Sequence, residues 1–169
     1  MKKSIMLFAA IVMVAGFSTS LMAQTENTAV GAKILTAMTI TESAPMHFGT
    51  MTVPTAATTV VLATDGTVTV GSGTTTLLAQ APISTAAAYD ITGDVSATYA
   101  ITIDASTIIA NTALDEMTVD NFVCSYAGLT STLDAGGADN FTVGATLNLV
   151  DAQPAGTYAG TFDVTVAYN

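Results

Sequence analysis

Apolar and polar residues alternate with a period of two through most of the chain, the spacing of half-buried strands rather than helices. In Val30–Thr41, the residues Val30, Ala32, Ile34, Met38 and Ile40 share one face, with Thr36 as the interruption. Pro45 and the dipeptide Phe48-Gly49 then break the run. Thr58–Leu62 and Thr67–Val70 flank Asp65-Gly66, a dipeptide that favours a tight hairpin turn. Gly71-Ser72-Gly73 reads as a loop and Asp134–Asn140 as an open turn. Further strands are predicted at Tyr89–Thr92, Tyr99–Ile103, Thr118–Tyr126, Asn140–Leu149 and Gly156–Tyr168. In the last of these, Tyr158, Phe162, Val164, Val166 and Tyr168 point one way, with Gly160 as a gap. Only Thr112–Glu116 suggests a helical turn. With about eight or nine short strands and no helix to cover a sheet face, the pattern predicts an all-β, immunoglobulin-like sandwich.

The first residues change the picture of where this domain works. Lys2 and Lys3 precede an apolar run, Ile5–Phe17, and small residues follow at Ser18–Ala23. That is the layout of a secretory signal peptide, so residues 1–23 are expected to be removed, leaving a chain that is secreted or displayed at the cell surface. The expected organisation is then a leader at 1–23, an N-terminal extension or donor strand at 24–34, and the sandwich at 35–169. No later apolar run is long enough to span a bilayer.

Charge narrows the partners. With Lys2 and Lys3 gone, thirteen acids face one basic residue, Lys33, which gives −12 with His47 neutral. Such a surface repels phosphate backbones and anionic lipid, so neither nucleic acid nor membrane insertion of the mature chain is expected. One cysteine, Cys124, excludes an internal disulfide. It alternates in phase with Phe122 and Tyr126, which marks it as a small apolar residue beside two aromatics.

Little chemistry rises from the residues. His47 is the sole histidine, no Gly-x-Ser-x-Gly elbow is present, and one His with one Cys cannot build a zinc site. Two acidic groups, Asp134, Asp139 and Asn140 in one and Asp115, Glu116 and Asp120 in the other, offer oxygens without the spacing of a calcium loop. Asn140-Phe-Thr142 is a three-residue sequon of little weight. Paired carboxylates for glycoside hydrolysis lack the exposed aromatics that bind sugars, tryptophan being absent altogether. The expectation is a non-enzyme with no cofactor and no metal.

Phe48–Thr50 (FGT), Gly66–Val70 (GTVTV) and Ile91–Gly93 (ITG) occur in order and lead to VGATLNLVDAQPAGTYAGTFDVTVAYN at Val143–Asn169. Over Leu35–Asn169 this set resembles an uncharacterised family of secreted bacterial β-sandwich domains, akin to spore coat protein U and to chaperone–usher pilins. The resemblance implies a pilin-like sandwich that lacks one strand and receives it from a neighbour. The cysteine pair common among the better-known pilins is missing here. On this reading the chain is a fimbria-like or surface-layer subunit that self-associates into a homopolymer, with other surface subunits as the further candidate partners. Val30, Ala32, Ile34, Met38 and Ile40 would be a donor or edge strand, and Phe162, Val164, Val166 and Tyr168 the receiving face. At about 3.3 Å per residue, Val30–Ile40 would reach some 36 Å, longer than a typical strand. The alternative is a monomeric binding or adhesion module for carbohydrate or a surface protein, with ligands in loops such as Ser131–Asn140.

Overall fold

A computed structural model describes residues 23–169; residues 1–22, on which the leader reading falls, lie outside the described residues. The chain divides into two units, Met1–Lys33 and Ile34–Asn169. In the first, the described residues 23–33 form no regular secondary structure.

The second unit is all-β. Its strand segments are β1 (Thr39–Ala44), β2 (His47–Phe48), β3 (Thr50–Met51), β4 (Thr58–Leu62), β5 (Val68–Ser72), β6 (Leu77–Leu78) and β7 (Ser84–Thr85). They continue with β8 (Ala87–Thr92), β9 (Thr98–Ile103), β10 (Ser106–Ala110), β11 (Glu116–Cys124), β12 (Thr130–Thr132), β13 (Ala138–Leu149) and β14 (Val164–Tyr168). The segments outnumber the eight or nine strands expected because loops contribute two-residue ladders, β2 with β7 and β3 with β6.

The twelve-residue β13 organises the larger sheet. Ala138–Val143 pairs with β8, Val143–Asn148 with β11, and Ala145–Leu149 with β4, all antiparallel. β1 extends this sheet beyond β8, β5 beyond β4, and β10 beyond β11. A second sheet has the order β12-β9-β14. Strict alternation along β13 sends Phe141, Val143, Ala145, Leu147 and Leu149 into the core. The two sheets share one apolar cluster, in which Tyr89, Ile91, Phe141 and Val143 of the larger meet Tyr99 and Ile101 of the smaller. A second cluster, built from Val60, Leu62, Met117, Val119 and Leu147, fills the other end.

β11 shows how sequence phase becomes geometry. Met117 and Val119 are buried, yet farther on Phe122 and Cys124 are the inward residues. Odd and even positions can face one core only if an extra residue is inserted, and the register against β13 shifts between Asp120 and Val123. Asn121 takes the positive φ there, 47°.

Several elements differ from the sequence expectation. β10 and β12 were not predicted, and β5 runs on through Gly71 and Ser72 where a loop was expected. Three further differences have a clear cause. The run from Val30 becomes a strand only at Thr39, because β8 ends at Thr92, the partner of Thr39, and offers nothing farther to pair with. The predicted Gly156–Tyr168 strand begins at Val164. The segment before it meets β10 through an isolated bridge, Ala159 to Ala110, and a hydrogen bond from the Thr107 hydroxyl to the Thr161 carbonyl, and the preceding loop is pinned by the buried Gln153. The Gln153 amide donates to the Glu116 carbonyl and the Tyr158 hydroxyl, while its Oε1 accepts from the Val150 N–H. At Thr112–Glu116, Asn111 Oδ1 accepts from the Ala113 and Asp115 N–H groups and builds a capped turn instead of a helical one.

Gly144 lies where β13 turns from β8 to β4, and a Cβ there would run into the Leu62 carbonyl. Gly144→Ala is expected to destabilise the fold by about 3 kcal/mol, since the clash is with backbone on a central strand. The urea midpoint measures it; an unchanged midpoint would mean that β4 and β13 do not approach as described.

Candidate functional site

β14 is the strand whose inward row is incompletely covered. On its partner β9, Tyr99 and Ile101 are fully buried. On β14, Val164, Val166 and Tyr168 are only half-buried, as is Phe162 just before it. All four pack on the cluster shared by the two sheets, and Phe162 stacks on Phe122 with ring centroids 4.6 Å apart. β14 pairs with β9 alone and β1 with β8 alone, so each has an edge without a ladder partner among the described residues. Met38 and Ile40 pack on the same apolar cluster from the β1 side and are likewise half-buried.

Tyr168 ties this margin together. Its hydroxyl accepts from the Asp94 N–H at 2.6 Å and donates to the Thr36 carbonyl at 2.7 Å. The ring reaches Asp94 across Gly93, where any Cβ would meet the hydroxyl and Leu133. Glycine in the Ile91–Gly93 triplet therefore makes room for a tyrosine far away in sequence.

Of the residues expected to exchange strands, the structure brings Met38, Ile40, Phe162, Val164, Val166 and Tyr168 to one cluster. Val30 and Ile34 are 95% and 93% exposed, and Ala32 is exposed as well; none of the three is in a strand.

Asp134, Asp139, Asp115 and Asp120 of the two acidic groups are hydrogen-bonded within the fold. Asp134 Oδ1 accepts from the N–H groups of Gly136 and Ala138, closing the turn before β13. Asn111 Nδ2 donates to Asp115 Oδ2. Asp139 is a hub: Tyr99 and Ser131 donate to its Oδ2 at 2.9 and 2.6 Å, and Tyr126 donates to Oδ1 at 2.7 Å. Burial raises its pKa, but the hydrogen bonds from Ser131, Tyr126, the Asn140 N–H and Tyr99 outweigh this and hold the carboxyl below its ordinary value. Conversely, burial and then the Asp139 carboxylate push Tyr99 up, and the bond to Asp139 followed by burial pushes Tyr126 up. Tyr89 rises to about 12, through burial first and the Glu42 charge second. Among the described residues, no three His, Cys, Asp or Glu side chains gather as metal ligands. His47 uses Nδ1 to accept from the Gly49 N–H, a turn contact. Cys124 accepts from the Tyr126 N–H at 3.5 Å and packs with Phe122 and Tyr126.

Gln153 was not singled out from the sequence, and Asp139 and Gly93 were named there only as an acidic-group oxygen and as part of the Ile91–Gly93 triplet, not for these contacts. The place of Asp139 at the start of a strongly alternating strand hints at an inward carboxylate, but its three hydroxyl donors come from 8 to 40 residues away.

The family model described as "Domain of unknown function (DUF4402)" matches residues 38–168. The chain belongs to this family. The matched span holds the half-buried row of the DUF4402 domain and both strands that border it, with Val30, Ala32 and Ile34 lying ahead of it. No curated protein and no solved structure matched.

Asp139→Asn is expected to lower stability at pH 7 by about 2 kcal/mol, the worth of bonds to a charged acceptor discounted for partial exposure. A depressed folded-state pKa adds stability above the ordinary carboxylate value of about 3.9, which is lost as pH falls through the lower folded value. Urea midpoints of parent and variant should thus differ at pH 7 and converge in strong acid; an equal gap at both would reject the assignment. Gly93→Ala should cost more than Tyr168→Phe, which removes only the hydroxyl at about 1 kcal/mol.

Proposed function

We propose that this DUF4402 domain is a non-enzymatic structural subunit of an extracellular fibre or surface layer, assembled by β-strand addition. The observation that carries the reading is the half-buried row Phe162, Val164, Val166 and Tyr168, set against fully buried neighbours on β8, β9 and β13. A further strand lying beside β14 would gain main-chain hydrogen bonds and complete the burial of that row, at about 1 kcal/mol for each half-buried side chain. The segment Val30–Ile34 of a second copy suits that role: it alternates, is extended enough in length and has no ladder partner in its own chain among the described residues. In this reading Met38 and Ile40 form the other border of the receiving face. An immunoglobulin-like, pilin-like topology and export through a leader at residues 1–23 belong to the same proposal.

Ile34→Asp and Val30→Asp place charges on side chains that are exposed in the single chain. Each should abolish polymers seen by negative-stain microscopy and light scattering while leaving the melting temperature of the monomer unchanged. Met38→Asp is a poorer probe, since Met38 packs on the core. Polymers unaffected by both exposed substitutions would sink the donor assignment. A parent protein that stays monomeric would favour the binding module instead, with the Ser131–Asn140 loop as the first place to map a ligand.

A further inference from the structure

The end of the sandwich built from β3–β7 carries a second incompletely covered margin. β5 pairs with β4 alone. Val68 and Val70 lie opposite Leu62 and Val60, both fully buried, so they face the same core, yet Val68 is half-buried and Val70 is 37% exposed. Beside them Phe48, Val68, Leu77, Leu78 and Ile83 line a shallow hollow of about 300 Å³. Ile83 is 68% exposed at its rim. The strand Val68-Thr69-Val70-Gly71-Ser72 bears no lysine, proline or charge, the usual guards of an exposed edge; its one irregularity lies at the end, opposite Thr59 and Val60.

Charge decides what can approach. From Phe48 to Tyr89 the chain has one charged residue, Asp65, while the other twelve of its thirteen acids lie outside that stretch. Every residue of β5, of its partner β4 and of the hollow comes from this segment, whose single charge, Asp65, lies in the turn between β4 and β5. Two copies of so acidic a chain repel each other over most approaches, but here they can meet without setting carboxylates face to face. We infer that the β5 edge and the adjoining hollow are a self-association surface for a second copy. The two β5 strands run antiparallel about a two-fold axis, and Ile83 enters the partner's apolar margin. This surface is separate from the β14 margin and rests on no part of the strand-donor reading.

The test is sedimentation velocity on the Ile34→Asp protein, in which the proposed donor is disabled, with Thr69→Lys or Ile83→Asp added. Thr69 faces solvent on β5 and Ile83 is exposed, so neither change should disturb the fold. The Ile34→Asp protein is expected to form a reversible dimer that tightens as salt screens the residual repulsion. The dissociation constant should rise at least about tenfold when two lysines face across the axis or a carboxylate enters the hollow. A monomer at the highest attainable concentration overturns the inference, as does association that survives both substitutions. Filaments persisting in Ile34→Asp would count against the donor strand alone, and the inference then stands or falls on whether Thr69→Lys or Ile83→Asp shortens them.

Discussion

The antiparallel ladders of β13 are the constraint on which the other elements depend. A strand exposes backbone donors and acceptors on two edges, and burial demands that both be paired. β13 is long enough to serve β8 and β4 in succession along one edge and β11 along the other, so its register fixes which residues of all three enter the core. Gly144 sits at the handover. With no disulfide and no α-helix among the described residues, these strands are held by their ladders together with the apolar clusters and side-chain bonds such as those to Asp139. What cannot be served from β13 falls at the margins, where β1, β5 and β14 each keep one edge without a partner.

How much of this was legible depended on where each interaction lies along the chain. Period-two alternation located β4, β8, β9, β11 and β13 closely, and Asp65-Gly66 gave the β4–β5 hairpin, because those signals are local. The phase change between Val119 and Phe122 lies in the sequence as well, since Met117 and Val119 occupy odd positions and Phe122, Cys124 and Tyr126 even ones, and the two sets can face one core only across a slip. Alternation cannot report where a partner runs out. Val30–Met38 keeps the strand pattern but lies past the end of β8, and Gly156–Phe162 keeps it while a glutamine-pinned loop holds the backbone elsewhere.

The candidate site was readable in part for the same reason. The half-buried row follows from its own alternation, as do Met38 and Ile40, and all meet in one cluster. The polar contacts that frame the row were not readable, because each joins distant residues: Tyr168 to Thr36 and Asp94, and Asp139 to Tyr99, Tyr126 and Ser131. Acidic residues that look like ligands in a linear reading turn out to close turns and receive hydroxyls.

The extra residue in β11 has a consequence for how such a domain can diverge. Deleting Asn121 would bring Phe122 into step with Met117 and Val119, so alternation would become unbroken while Phe122, Cys124 and Tyr126 kept their inward side. Deleting Thr118 instead would put Met117 out of phase with Val119 and turn one of the two to water. Within a family of such domains, a one-residue gap in this strand should therefore fall at the tripeptide Asn121–Val123 and be avoided on either side of it.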